Sequence, residues 1–229
     1  MKHIVIHELV KDYSHNKLTV KAVRGVTLEF NKGEFSAIAG PSGSGKTTLL
    51  NMIGGLDRPT SGTVNVAGND MGSLSSRELS DIRLKNIGFI FQAYNLIPVL
   101  NAIENVEYIL LLQGITKEER RERSSEILKK VGLGDKMSRL PGDLSGGEQQ
   151  RVAVARAMVS EPELILADEP TANLDQKTGA ALLDLMKNLN HEKKITFLFS
   201  THDPMVMERA ERVIKLSDGL IVSDTVKPL

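Results

Sequence analysis

Apolar and polar positions along the chain predict two kinds of structure in turn. Extended, strand-like runs come first, at Ile4 to Val10, Ala22 to Phe30 and Phe35 to Ala39; Gly33 separates the last two, and a Ser61-Gly62 turn leads into Thr63 to Val66. From about Ser75 to Met158 the spacing becomes mostly helical, interrupted by a strand at Ile87 to Phe91. Ile103, Val106, Ile109 and Leu110 share one helical face, and the charged run Lys117 to Arg123 leads into Ile127, Leu128 and Val131. Strands and helices then alternate: a strand at Leu164 to Ala167, a helix near Gln176 to Leu189, a strand at Ile195 to Ser200 and a short helix after Pro204. That alternation marks a parallel sheet, so the fold class is α/β. Val213 to Leu216 and Leu220 to Val222 flank Ser217-Asp218-Gly219, a hairpin signal.

Composition narrows the function classes. The chain has 229 residues and no cysteine, which excludes disulfides, thiolate metal sites and a cysteine nucleophile. Charged residues make up 25% and hydrophobic residues 41%, an ordinary globular balance. Lys plus Arg (29) equals Asp plus Glu (29), so no overall positive field draws the chain to nucleic acid or anionic lipid, and no nucleic-acid partner is expected. The longest apolar runs fall far short of the roughly 20 residues of a membrane-spanning helix. With no secretory signal at its start, the expected location is cytoplasmic.

Gly40-Pro41-Ser42-Gly43-Ser44-Gly45-Lys46-Thr47 fits G-x-x-x-x-G-K-[ST], follows a predicted strand and precedes the helical stretch Thr48 to Ile53. Glycines let the backbone wrap closely round a polyphosphate and aim N–H groups at its oxygens, and the helix N-terminus adds a positive dipole end. Lys46 supplies a point charge to the β and γ phosphates, and Thr47 offers Mg²⁺ a hydroxyl ligand. The strand Leu164 to Ala167 ends in Asp168-Glu169-Pro170. Strand carboxyl ends line the ligand crevice of a parallel sheet, so Asp168 is expected to orient Mg²⁺ and Glu169 to act as general base on the attacking water. The neighbouring strand ends in Thr201-His202-Asp203, which brings His202 to the same rim. A second glycine-rich element, Leu144-Ser145-Gly146-Gly147-Glu148-Gln149-Gln150-Arg151, opens a clear helix. Ser145 and Glu148 form a capping box, but two glycines in a first turn cost about 1 kcal/mol each against Ala, which suggests that a phosphate approaches the backbone there.

Taken in order, these motifs together with Asn173-Leu174-Asp175 resemble an ABC transporter ATPase over essentially the whole chain. The resemblance implies a P-loop fold with a mixed core sheet, an N-terminal antiparallel β subdomain and a helical signature subdomain. Residues 1–91 and 159–229 would form the core with the β subdomain, and about 92–158 the helical part. It implies ATP and Mg²⁺ as cofactors. Nucleotide contacts would be Tyr13 (stacking on adenine), Gly40 to Thr47, Thr48, Ser145, Gly146, Gly147, Glu148 and Asp175. Gln92, after Gly88-Phe89-Ile90-Phe91, would sense Mg²⁺ and join Glu169 and His202 in the catalytic set. Phe91 to Pro98, Ala102 to Val106 and Leu166 to Asp175 are similar to the macrolide-exporter and lipoprotein-releasing branch, although Ala172 stands where many of that branch carry Gly.

The implied partners are a transmembrane permease and a second copy, arranged head to tail so that each ATP lies between one phosphate loop and the other chain's signature. The implied location is the cytoplasmic face of the inner membrane, held peripherally. The short C-terminus implies no appended regulatory domain, and Ala93 to Leu100 is expected to form the docking surface for the permease. A soluble ABC ATPase of DNA repair or translation usually carries two cassettes or a long coiled coil, and only about fifty residues separate Gln92 from Leu144 here. A cell-division ATPase working on a membrane partner without transport lies closer. A GTPase is disfavoured because no N-K-x-D is present.

Overall fold

In the computed structural model, which describes residues 2–15 and 18–227, two sheets share a core. The first is antiparallel, built from β1 (Lys2–His15), β2 (Leu18–Asn31), β4 (Ser61–Val66) and β5 (Asn69–Asp70), in the order β2-β1-β4-β5. Both long strands outrun the apolar alternation that predicts them, because the β1–β2 ladder continues past Val10 through Tyr13 opposite Val20. The pairing register shifts between Ile6 and Leu9, where Glu8 takes φ 44°. Gly62 (φ 81°) lies against that bulge, and a Cβ there would collide with the Glu8 carbonyl.

The second sheet has the order β10-β9-β3-β8-β7-β6. β3 (Phe35–Ala39), β6 (Ile87–Ile90), β7 (Leu164–Asp168), β8 (Thr196–Thr201) and β9 (Arg212–Ser217) run parallel, and β10 (Leu220–Val226) closes one edge antiparallel through the Asp218-Gly219 turn. Every residue of β3 and β8 is buried, as the interior of a parallel sheet covered on both faces requires.

Helices fill the connections: α1 (Lys46–Ile53), α2 (Ser76–Asn86), α3 (Ala102–Leu112), α4 (Lys117–Lys130), α5 (Gly146–Met158), α6 (Gln176–Lys193) and α7 (Pro204–Arg209). Leu79 of α2 packs with Met52 and Met71 on the side of α1, so α2 belongs to the core and not with the helices that follow. Ile103, Val106, Leu110, Leu128 and Val152 form a separate apolar cluster. α5 serves both sides: Val152, Ala155 and Val159 face that cluster, while Val154, Ala157 and Met158 pack beneath the parallel sheet. At Gly88 of β6 a Cβ would run into the Ala157 carbonyl, so glycine there permits the close packing of strand on helix.

Candidate nucleotide site

The phosphate loop leaves β3 between two other strands. A Cβ at Gly40 would collide with the Leu216 carbonyl of β9, and one at Gly45 with the Ala22 carbonyl of β2. Gly43 (φ 79°) has open space around it and needs glycine for its backbone alone. Two of the three glycines are therefore fixed by packing against neighbouring strands. The Gly219 N–H donates to the Ser44 carbonyl at 3.0 Å, so the β9–β10 hairpin buttresses the loop. Gly45 caps α1 in the left-handed region at φ 101° with no side-chain bond, and no acidic residue occupies the first turn. The N–H groups at the start of α1 thus have no capping side chain of their own, which makes an anion site.

Lys46, only 6% exposed, folds its ammonium back into the loop, donating to the carbonyls of Gly40 at 2.8 Å and Pro41 at 3.0 Å. The Thr47 hydroxyl donates to both carboxylate oxygens of Asp168, at 3.0 and 3.1 Å. These are hard oxygen donors side by side at the mouth of the loop, the chemistry Mg²⁺ takes. Among the described residues no group of three or more His, Asp or Glu side chains is placed to hold a metal ion by itself. A cation held by Thr47 and Asp168 would complete its shell from phosphate and water oxygens.

Glu169 lies one residue beyond β7 with a left-handed backbone, φ 45°. Its Oε1 is 2.7 Å from His202 Nδ1 and 4.0 Å from Lys46 Nζ, and its Oε2 accepts from the Thr201 hydroxyl at 3.3 Å. An ionised carboxylate only accepts, so in that state Nδ1 carries the proton and Nε2 is left for other partners. The adjacent ends of β7 and β8 therefore bring Asp168, Glu169 and His202 together with Lys46 and Thr47, as the sequence leads one to expect.

An open cleft of about 630 Å³ runs from Gly43–Thr48 to Thr19, Val20, Lys21 and Arg24 on β2 and to Asp218. None of Ser145, Gly146 and Gly147 lines it. Ser145 caps α5 in a complete capping box with Glu148. Gln92 is exposed beyond β6, and its carbonyl accepts from Asn173 Nδ2 at 2.9 Å.

A family model described as ABC transporter matches residues 23–172. The chain belongs to that family. As an ABC ATPase it is 47% identical over 219 residues to YknY of Bacillus subtilis (strain 168), an uncharacterized ABC transporter ATP-binding protein, covering 96% of this chain and 95% of that one. It is 46% identical to the lipoprotein-releasing system ATP-binding protein LolD of Alcanivorax borkumensis, covering 93% of this chain and 94% of that one. It is also 44% identical to the macrolide export ATP-binding/permease protein MacB of Rhodopseudomonas palustris (strain BisB18), covering 98% of this chain and 35% of that longer protein. A dimeric ATP-binding cassette in a post-hydrolysis state with ADP and phosphate superposes with a TM-score of 0.92 at 42% identity, covering 99% of this chain and 100% of that one. The protein is accordingly an ATPase of the ABC fold.

Several residues that the sequence assigns to the nucleotide have partners within the chain of this ABC ATPase. Both glycines of the signature have partners within the chain: a Cβ at Gly146 would sit 2.9 Å from the Tyr94 hydroxyl, and one at Gly147 2.5 Å from a Thr178 methyl. Close packing on these side chains is a second reason for glycine at both positions, beside the expected approach of a phosphate. Glu148 uses Oε2 to accept from the Ser145 N–H at 2.9 Å and Oε1 to pair with Lys136. Lys136 first, then Ser145, hold this carboxyl below its usual range. Asp175 is the N-cap of α6, accepting from the N–H groups of Lys177 and Thr178 at 3.1 Å each. Within the single chain both acids are helix caps.

The Tyr13 hydroxyl donates to Asp57 Oδ2 at 2.5 Å, and Lys11 Nζ lies 4.8 Å from the ring centre. Val20, Tyr13's cross-strand partner, reaches the cleft. The sequence carries no signal for the β2 lining, because its residues belong to no motif; in the structure the apolar Val20 is 62% exposed. Within Ala93 to Leu100 the expected docking surface is divided. Val99 is 82% exposed, Leu96 packs on the core of the helical cluster, and Ile97 lines an apolar groove of about 380 Å³ with Leu56, Phe89, Phe91 and Tyr108.

Proposed function

We propose that this ATPase is the motor subunit of a membrane transport complex, with Glu169 as the general base. The observation that carries this reading is the juxtaposition of two pairs at the phosphate loop: Thr47 with Asp168, and Glu169 with His202. In it the loop N–H groups and Lys46 bind the β and γ phosphates of ATP, exchanging the ammonium's bonds to Gly40 and Pro41 for phosphate oxygens. Thr47 and Asp168 hold Mg²⁺, which when bound neutralises phosphate charge. Glu169 accepts the proton of the attacking water, and His202 Nδ1–H fixes its carboxylate.

The cleft contains no signature residue, which supports a composite site in which Ser145, Gly146 and Gly147 of a second copy cover the γ phosphate. Tyr13 and Thr48 serve the nucleoside end, and Gln92 links the site to the permease. Residues 1–91 and 159–229 then form the ATP-binding core, and about 92–158 the helical arm that presents the signature. Among the described residues no helix is long and apolar enough to cross a membrane, and the path is assigned to a transmembrane permease. The groove beside Ile97, lined by Leu56, Phe89 and Tyr108, is the seat we assign to it. By likeness to the LolD and MacB proteins, the work is export or extraction of a lipoprotein, drug or peptide at the cytoplasmic face of the membrane.

Glu169→Gln tests the reading. It keeps the phosphate loop and Asp168, so ATP affinity by calorimetry should remain close to the parent's while turnover falls by about 100-fold or more. Light scattering should then show a monomer without nucleotide and a dimer with ATP. Turnover within about threefold of the parent's would remove Glu169 from the role.

A further inference from the structure

Behind the acidic rim, α5 meets the loop that follows β7. Gln150 is fully buried one turn beyond the Ser145 cap, and its Nε2–H donates to the Pro170 carbonyl at 2.8 Å. Its Oε1 is buried with no partner. The orientation follows from chemistry, since only the amide nitrogen can donate to a carbonyl. An orphaned amide oxygen in a dry interior is a cost to the fold, and an apolar side chain of the same volume would avoid it. What the amide provides in return is its hold on Pro170.

Pro170 directly follows Glu169, whose left-handed backbone needs support from its surroundings. Part of that support comes from β8 and its extension: the Glu169 N–H donates to the Ser200 carbonyl at 2.9 Å, and the Thr171 hydroxyl donates to Asp203 Oδ2 at 2.7 Å. Gln150 holds the same turn from the helix that opens at Ser145, Leu144 to Arg151 being the signature.

We propose that Gln150 is a positioning residue that sets the backbone of Glu169 from the signature helix. The proposal rests on the reading of Glu169 as general base and of the dimer as head to tail. In that dimer the N-terminus of α5 faces the ATP of the second copy, whereas Pro170 stands beside the chain's own Glu169. One buried side chain then joins the part that closes the partner's site to the carboxylate that works in its own.

Two variants test it on the whole protein. Gln150→Met keeps the volume and removes the donor; Gln150→Glu keeps the shape and, because burial raises a carboxyl's pKa, can donate when protonated. For Gln150→Met the expected result is a kcat lowered by about tenfold or more, with KM for ATP within about twofold. Its melting temperature should lie within about 4 °C of the parent's, since one orphaned group is exchanged for another. ATP should still dimerise Gln150→Met when it is combined with Glu169→Gln. Gln150→Glu should recover activity as pH falls from about 8.5 to 6.5, a trend absent from Gln150→Met.

A Gln150→Met kcat within twofold of an active parent's overturns the proposal while leaving the role of Glu169 intact. So does a joint fall of kcat, affinity and melting temperature in both variants, which marks a packing role, or a Gln150→Glu no better than Gln150→Met at any pH. A parent without ATPase activity strikes down the functional reading itself, and the proposal with it.

Discussion

Gly45 and Gly43 stand two residues apart in the phosphate loop and are held to glycine for different reasons. Gly45 has φ 101° and no room for a Cβ against the Ala22 carbonyl, whereas Gly43 has φ 79° and open space. Gly43→Ala should therefore cost about 1 kcal/mol, the backbone penalty alone, and lower the melting temperature by about 2–4 °C. Gly45→Ala should cost more and abolish ATP binding by calorimetry, because β2 or the loop has to move. Equal melting temperatures for the two variants would show that the loop yields without strain. Lys46→Ala removes charge from the phosphates and is expected to weaken ATP binding itself, in contrast to Glu169→Gln, which separates binding from turnover.

Among the elements, the β9–β10 hairpin depends on one hub. Arg212 donates to Asp224 from Nε at 2.8 Å and Nη2 at 2.6 Å, and to the Glu29 carbonyl at 2.6 Å, tying both strands to β2. The Arg212 guanidinium holds the Asp224 carboxyl below its usual range, against the smaller upward push of burial. A depressed carboxyl contributes stability above the unfolded pKa near 4, and that stability is lost as pH falls through the lower folded value. Asp224→Asn should thus lower stability by about 0.5–1 kcal/mol at pH 7, solvent screening at the exposed carboxylate holding the effect down, and the gap to the parent should close as pH falls below about 4. A melting-temperature difference constant from pH 7 to pH 3 would refute the assignment of this pair. Because the hairpin turn also supports the Ser44 carbonyl, the same variant is expected to loosen the phosphate loop.

At the scale of the whole molecule, the groove proposed to seat the permease runs beside the segment after β6, from Asn95 and Ile97 to Leu56 and Tyr108. Arg156 of α5 donates to the Tyr94 and Asn95 carbonyls, at 2.8 and 2.5 Å, holding two consecutive left-handed residues, and it also lines the groove. Tyr108 and Leu56, 39% and 47% exposed, line that groove without touching the ATP site, which makes them better probes of docking than Tyr94 or Leu96. Tyr108→Glu combined with Leu56→Glu should leave basal ATPase and folding near the parent's and abolish stimulation by the permease. Undiminished stimulation would place the contact elsewhere.

The meeting of the phosphate loop with Asp168, Glu169 and His202 was legible in the sequence because each residue is fixed by a local rule: glycines and Lys46 at a strand-to-helix turn, and the three others at the ends of buried parallel strands. The same rules located α3, α5, α6 and the β9–β10 hairpin to within a few residues. Periodicity could not say that α2 packs on the core beside Met52, or that α5 divides its two faces between two apolar clusters, since those facts depend on which surface each helix meets. Gly146 and Gly147 read as a phosphate signal in one dimension, and only the approach of Tyr94 and Thr178, 52 and 31 residues away in sequence, revealed a packing reason. The Gln150–Pro170 bond, the left-handed turn at Glu169 and the β2 wall of the cleft were likewise decided by tertiary structure. Each joins segments distant along the chain or sets a backbone angle that no side-chain pattern encodes.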